Sequence, residues 1–135
     1  MRDADLDDSA NREIYIYIVD DEPMIAEMME VVFSMQGFRT KVFNAPEPVL
    51  ESLRKELNKP DILLTDFLME SMNGMDLIRA CRTLHPCLCT LLCSGHVNPE
   101  QLASYADPPD AFVAKPFLPA ELVEKARGVL ARQRG

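Results

Sequence analysis

The sequence predicts a doubly wound α/β domain in which five short parallel strands alternate with five helices. Short apolar runs recur along the chain, and each is followed by a segment with helical spacing. The stronger runs are apolar at every position, as a parallel strand covered on both faces requires. The intervening helices open on proline or on an N-cap residue. Strand-crossover-strand units of this length favour right-handed connections, with helices on both faces of one sheet.

Residues 1–12 carry Asp3, Asp5, Asp7 and Asp8 against Arg2 and Arg12. They read as a flexible acidic tail with little to bury, and residues 13–135 as the domain. Ile14–Val19 is the first strand, Ile62–Thr65 the third and Leu88–Cys93 the fourth. Arg39–Phe43 and Ala111–Ala114 read as edge strands. The first helix starts at Pro23, buries a stripe of Ile25, Met28, Met29, Val32 and Met35, and closes at Gly37. The second buries Val49, Leu50, Leu53 and Leu57 and ends before Pro60. The third runs from about Gly74 to Leu84 with Leu77, Ile78 and Cys81 inward. Asn98-Pro99 opens a short fourth helix that Pro108-Pro109 stops. The last, from Pro119, buries Leu122, Val123, Ala126, Val129 and Leu130. Its basic residues Lys125, Arg127, Arg132 and Arg134 lie toward its C-terminus, where the helix dipole favours cations.

Composition narrows the function. Apolar residues are 47% and charged residues 27% of the 135-residue chain, which marks a globular domain with its own core. The net charge of −8 speaks against direct contact with nucleic acid. No run is long and apolar enough for a membrane span or a secretory leader, so a cytoplasmic location without membrane contact is expected. Cys81, Cys87, Cys89 and Cys93, with His85 and His96 among them, lack zinc-ligand spacing. Cys87, Cys89 and Cys93 share strand parity and read as small buried fillers on one face.

The chemistry gathers at the strand ends, where open parallel sheets place their sites. Asp20-Asp21-Glu22 follows the first strand, Asp66 the third, Ser94-Gly95 the fourth and Lys115-Pro116 the fifth. Carboxylates crowded on one rim repel, and a hard divalent ion such as Mg²⁺ relieves that repulsion. A carboxylate oxygen of Asp66 would then attack phosphorus, Lys115 would offset charge on the transferred group, and Ser94 would donate a hydrogen bond to it.

This set of residues at these strand ends resembles the receiver domain of bacterial two-component response regulators. The resemblance spans about residues 13 to 133. It implies the flavodoxin-like receiver fold, with strand order 2-1-3-4-5. It makes Asp66 the phosphoacceptor, with a histidine kinase or a histidine phosphotransfer protein as donor. Mg²⁺ would be held by Asp21, Asp66 and the backbone carbonyl of Leu68, with Asp20 acting through water. Ser94 would close on the phosphoryl group and Phe112 would be the aromatic switch. The Lys115–Pro116 bond would be cis. Helix 4, strand 5 and helix 5, including Tyr105, Phe117 and Arg127, would form the output surface toward a downstream protein. The chain would be a monomer or a phosphorylation-dependent dimer. Its only catalysis would be self-catalysed phosphoryl acceptance and hydrolysis.

Two departures from the family pattern bear on the site. Glu70 stands where the family usually has proline, which loosens the loop after Asp66. Leu68 and His96 flank the route of water to an acyl phosphate, so they are expected to set its lifetime. Only 20 residues follow Lys115, which suggests a stand-alone receiver or relay, or a receiver cut from a longer regulator. The alternative is a receiver-fold interaction module acting without phosphorylation, but the complete set of acidic residues, Ser94 and Lys115 speaks against it. A dehalogenase-type phosphohydrolase would want an Asp two residues after its nucleophile, where Leu68 stands. A flavodoxin-like cofactor domain would want a phosphate cradle where two carboxylates lie.

Overall fold

The computed structural model describes residues 13–95 and 99–134. The acidic tail, His96 and Asn98 lie outside the described residues. The chain alternates β1 (Tyr15–Val19), α1 (Pro23–Met35), β2 (Arg39–Phe43), α2 (Pro46–Lys55), β3 (Ile62–Asp66), α3 (Gly74–Leu84), β4 (Cys89–Ser94), α4 (Pro99–Ala103), β5 (Ala111–Ala114) and α5 (Pro119–Arg134). The strands form one parallel sheet in the order β2-β1-β3-β4-β5. The three central strands are buried at every position, and the edge strands β2 and β5 are not, as the apolar runs predict.

Successive side chains on a strand point to opposite faces, and the core divides accordingly. Ile16, Ile18, Ile62, Leu64, Leu91 and Val113 pack with Met29 and Phe33 of α1 and with Leu122, Ala126 and Val129 of α5. Tyr17, Val19, Leu63 and Leu92 pack on the other face with Val49 and Leu53 of α2 and Leu77, Ile78 and Cys81 of α3. Each fully buried leucine or isoleucine contributes about 1.5–3 kcal/mol.

Four expected burials are corrected. On α1 the inward residues are Ala26, Met29 and Phe33, while Met28 and Met35 are exposed, Met35 at 79%. Met24, Met28, Val31 and Met35 are apolar too, so hydrophobicity does not set the helix's phase. The small Ala26 and the large Phe33 do, because together they fit the sheet. Leu57 is fully exposed because α2 ends at Lys55. Glu56 leaves the helix there with extended backbone, and its carboxylate turns back under the sheet. Cys87 is exposed because it precedes β4, and strand parity applies only within the strand; Cys89 and Cys93 are buried as expected.

Glu56 closes a polar cluster on the α2 face. Its Oε1 accepts from Tyr15 (3.1 Å) and Tyr17 (2.5 Å), and its Oε2 from Lys41 (3.0 Å). Burial alone would raise this carboxyl, but the hydrogen bonds from Tyr17, Lys41 and Tyr15 outweigh it and bring it from 4.5 down to about 2. A depressed carboxylate contributes stability that is complete above the unfolded value and lost as pH falls through the folded one. Acid titration of urea unfolding should therefore show wild type losing about 2–3 kcal/mol more than Glu56→Gln between pH ~4.5 and ~2. Parallel curves for the two proteins would refute the cluster's role.

Candidate functional site

The carboxyl ends of β1, β3 and β5 open onto one cleft of about 550 Å³. Asp21 and Glu22 enter it from the turn after β1, Asp66 from the end of β3 and Lys115 from the end of β5. Ile25 and Met28 of α1, Leu68, Gly95, Pro116 and Phe117 complete its lining. The floor is therefore acidic and the walls are mostly apolar.

Asp20, Asp21 and Asp66 each offer an oxygen, and these oxygens lie within 4.8 Å of one another. Asp20 is fully buried. Its Oδ1 accepts the Glu22 amide at 2.9 Å, whereas its Oδ2 has no hydrogen-bond partner among the described residues. Lys115 Nζ lies 3.5 Å from that Oδ2 and 3.2 Å from Asp66 Oδ1. Burial pushes the Asp20 and Asp66 carboxyls up; Lys115 pulls both down, incompletely. Burial also lowers the Lys115 ammonium, but Asp66 and Asp20 outweigh it and raise it overall. Among the described residues a single ammonium, that of Lys115, pairs with this cluster, which leaves it short of positive charge. A set of hard oxygen donors, one of them buried without a hydrogen-bond partner among the described residues, fits a small divalent cation such as Mg²⁺.

The Lys115–Pro116 peptide is cis. Ser94 ends β4, buried, opposite Ala114, and its carbonyl accepts the Lys115 amide at 3.0 Å. Phe112 pairs with Leu92 and is half-buried on the α3 side of the sheet, where Leu92 and Ser94 also face. Leu68 is half-exposed on the cleft rim.

Two residues expected on the output surface lie elsewhere. Phe117 lines the acidic cleft. Arg127 faces α1, with its guanidinium 5.5 Å from the Phe38 ring centre and within 3.4 Å of the Gln36 carbonyl. Glu124, Lys125, Gly128 and Arg132 of α5 instead line a cavity beside Ala111 and Phe112 of β5. Helical rotation is the cause: the residues that bury Val123 and Ala126 against the sheet carry Arg127 to the α1 side.

Gly74 was legible only as a helix start, yet it shapes the site. Its amide donates to the Phe67 carbonyl at 2.8 Å, and a Cβ there would lie 2.4 Å from the Asp66 carbonyl oxygen. Only glycine lets α3 approach the strand end that carries Asp66 this closely.

The family model for the response regulator receiver domain matches residues 16–127. The chain belongs to that family. As a receiver domain it is similar to the transcriptional regulatory protein CreB of Escherichia coli (strain K12), at 31% identity over 87% of this chain and 51% of that protein. It is 34% identical to the DNA-binding response regulator MtrA of Mycolicibacterium smegmatis, over 87% of this chain and 50% of MtrA. The chain thus spans about half the length of these relatives. A CheY-like response regulator receiver domain protein from Methanospirillum hungatei JF-1 shares the fold, with a TM-score of 0.82 at 24% identity, covering 90% of this chain and 97% of that one.

These relatives correct the expected partners. The net charge of −8 speaks against direct contact with nucleic acid and favours a protein target in its place. Yet MtrA is named a DNA-binding response regulator and CreB a transcriptional regulator. Net charge describes only the residues counted. The count covers a stretch matching half of those proteins, so it excludes nothing about the remainder. For membranes the finding is narrower: among the described residues no helix is long and apolar enough to cross one.

Proposed function

We propose that this receiver accepts a phosphoryl group on Asp66 from a phosphohistidine of a histidine kinase. The reading is carried by the placement of Asp66 in the cleft, 3.2 Å from Lys115 Nζ and clustered with Asp20 and Asp21. One Asp66 carboxylate oxygen attacks phosphorus. A P–O bond forms as the donor's P–N bond breaks, and the departing imidazole nitrogen keeps the electron pair.

Asp21 and Asp66, with the backbone carbonyl of Leu68 and with Asp20 acting through water, would hold Mg²⁺. When bound, the ion supplies positive charge against the phosphoryl oxygens. Lys115 holds its ammonium beside the reacting oxygen and takes up charge as it is transferred. Ser94 then donates its hydroxyl to the phosphoryl group, and Phe112, on the same face of the sheet, turns toward it. The result is a changed surface over α4, β5 and α5, with self-catalysed hydrolysis resetting it. Leu68, on the cleft rim, limits the approach of water and so lengthens the life of the acyl phosphate. In a longer regulator like CreB or MtrA this surface would govern an output on DNA.

Intact mass after incubation with Mg²⁺ and acetyl phosphate tests the reading. Wild type should gain one phosphoryl group, dependent on Mg²⁺, and Asp66→Asn should gain none. A folded wild type that binds Mg²⁺ yet takes up no phosphoryl group from either acetyl phosphate or a kinase would leave signalling without phosphorylation as the function.

A further inference from the structure

At the opposite end of the sheet, α3 grips the segment that joins α4 to β5. Arg82 Nη1 donates to the Asp107 carbonyl at 3.0 Å and lies 3.1 Å from Asp107 Oδ1. Its Nη2 donates to the Pro108 carbonyl at 2.9 Å and to Thr90 Oγ1 at 3.0 Å. One turn earlier, the Arg79 guanidinium lies 5.8 Å from the Tyr105 ring centre. Asp110 completes the attachment. Its Oδ2 accepts the Thr90 amide at 2.8 Å, its own amide donates to Thr90 Oγ1 at 3.1 Å, and its carbonyl accepts from Arg132 of α5 at 2.9 Å. Residues 105–110 are thus tied to α3, β4 and α5 together.

The neighbouring α4 is held differently. It has five residues, of which Leu102 is buried, and it is followed by two tight-turn hydrogen bonds, from Ser104 to Gln101 and from Tyr105 to Leu102. A groove of about 230 Å³ lies between the two segments. Leu102 and Ala103 line one wall, Pro108 and Pro109 the other, and Ala111 and Phe112 the floor. One wall is a single helical turn whose Leu102 is buried. The other is fixed by a guanidinium that meets four acceptors at once, with only 18% of its side chain exposed.

We propose that Arg82 is a positioning residue that anchors the Pro108–Pro109 wall, so that phosphorylation moves the α4 wall alone and alters the groove around Phe112. The proposal rests on Asp66 being the phosphoacceptor. The switch then has a fixed boundary: displacement arriving through α4 ends at Tyr105 and changes the groove's width rather than shifting the whole segment. Lysine keeps the charge of Arg82 but lacks the planar fork, and so cannot satisfy the four acceptors together.

Deuterium exchange read by mass on the full chain tests this, with and without Mg²⁺ and acetyl phosphate, while intact mass records phosphoryl occupancy in each sample. In phosphorylated wild type, peptides covering 100–105 should change and those covering Thr90 and 106–111 should hold within about twofold. In Arg82→Lys, equally phosphorylated, the phosphorylation-dependent change should spread into Thr90 and 106–111, reaching about tenfold. An anchor that served folding alone would alter basal exchange but not this difference between phosphorylated and unphosphorylated protein. If Arg82→Lys does not fold, Asp107→Ala removes an exposed partner of the same guanidinium and should spread the change in the same direction. Spread into 106–111 in wild type, or variants indistinguishable from wild type, would overturn the anchor while leaving the phosphoacceptor intact. Absence of the adduct would instead sink the Asp66 reading, and this proposal with it.

Discussion

Gly74→Ala should destabilise the domain by about 2–3 kcal/mol and slow phosphoryl acceptance. The added Cβ would lie 2.4 Å from the Asp66 carbonyl oxygen, 2.7 Å from Leu92 Cδ1 and 3.1 Å from Phe67 Cα. The leucine methyl can swing aside, but the two backbone atoms cannot move without displacing Asp66 itself. The Gly74 amide donates to the Phe67 carbonyl at 2.8 Å, so α3 cannot back away without losing that bond. Urea unfolding provides the measurement, and Gly128→Ala provides the control. A Cβ at Gly128 meets nothing within 4 Å, and that helical position should gain up to about 1 kcal/mol. Equal effects at the two glycines would mean that the close approach of α3 to β3 carries no energetic weight.

Asp20→Asn should have the opposite sign, stabilising the ion-free protein by about 1–2 kcal/mol at neutral pH. Burial raises this carboxyl; the Glu22 amide and Lys115 lower it, and Asp66 and Asp21 raise it again, leaving it above its ordinary value of 3.8. A raised carboxylate favours folding most below its unfolded value, and its charge becomes a growing cost as pH rises through the folded one. Asparagine keeps the Oδ1 that accepts the Glu22 amide and removes the charge. The same change should blunt the response to Mg²⁺. At a hundredfold excess over its dissociation constant, the ion should stabilise wild type by about 2.7 kcal/mol, and the variant by much less. Thermal unfolding in chelator and in Mg²⁺ measures both effects. A variant less stable than wild type in chelator would show that the Lys115–Asp20 pair outweighs the crowding.

Much of this was legible before any coordinates. Continuous apolar runs placed the strands because a parallel strand has no polar face, and helix starts at Pro23 and Pro119 followed from proline chemistry. The acidic pair, Asp66, Ser94 and Lys115 stood out because each followed a strand, and the topology of a doubly wound sheet brings those ends together.

What the sequence alone determined was therefore periodic or topological: which residues form elements, and which element ends share a rim. What the tertiary structure decided was rotational phase and close approach. α1 is apolar nearly all round, so only its fit against the sheet turned Phe33 inward and Met35 out. Arg127 and Phe117 follow Lys115 in sequence as output-surface residues would, yet helix and loop orientation send one to α1 and the other into the cleft. Gly74, Arg82 and Glu56 carry no motif at all. Their weight comes from atoms distant in the chain, such as the Asp66 carbonyl, the Pro108 carbonyl and the Tyr17 hydroxyl, and a local sequence pattern cannot encode a distance to them.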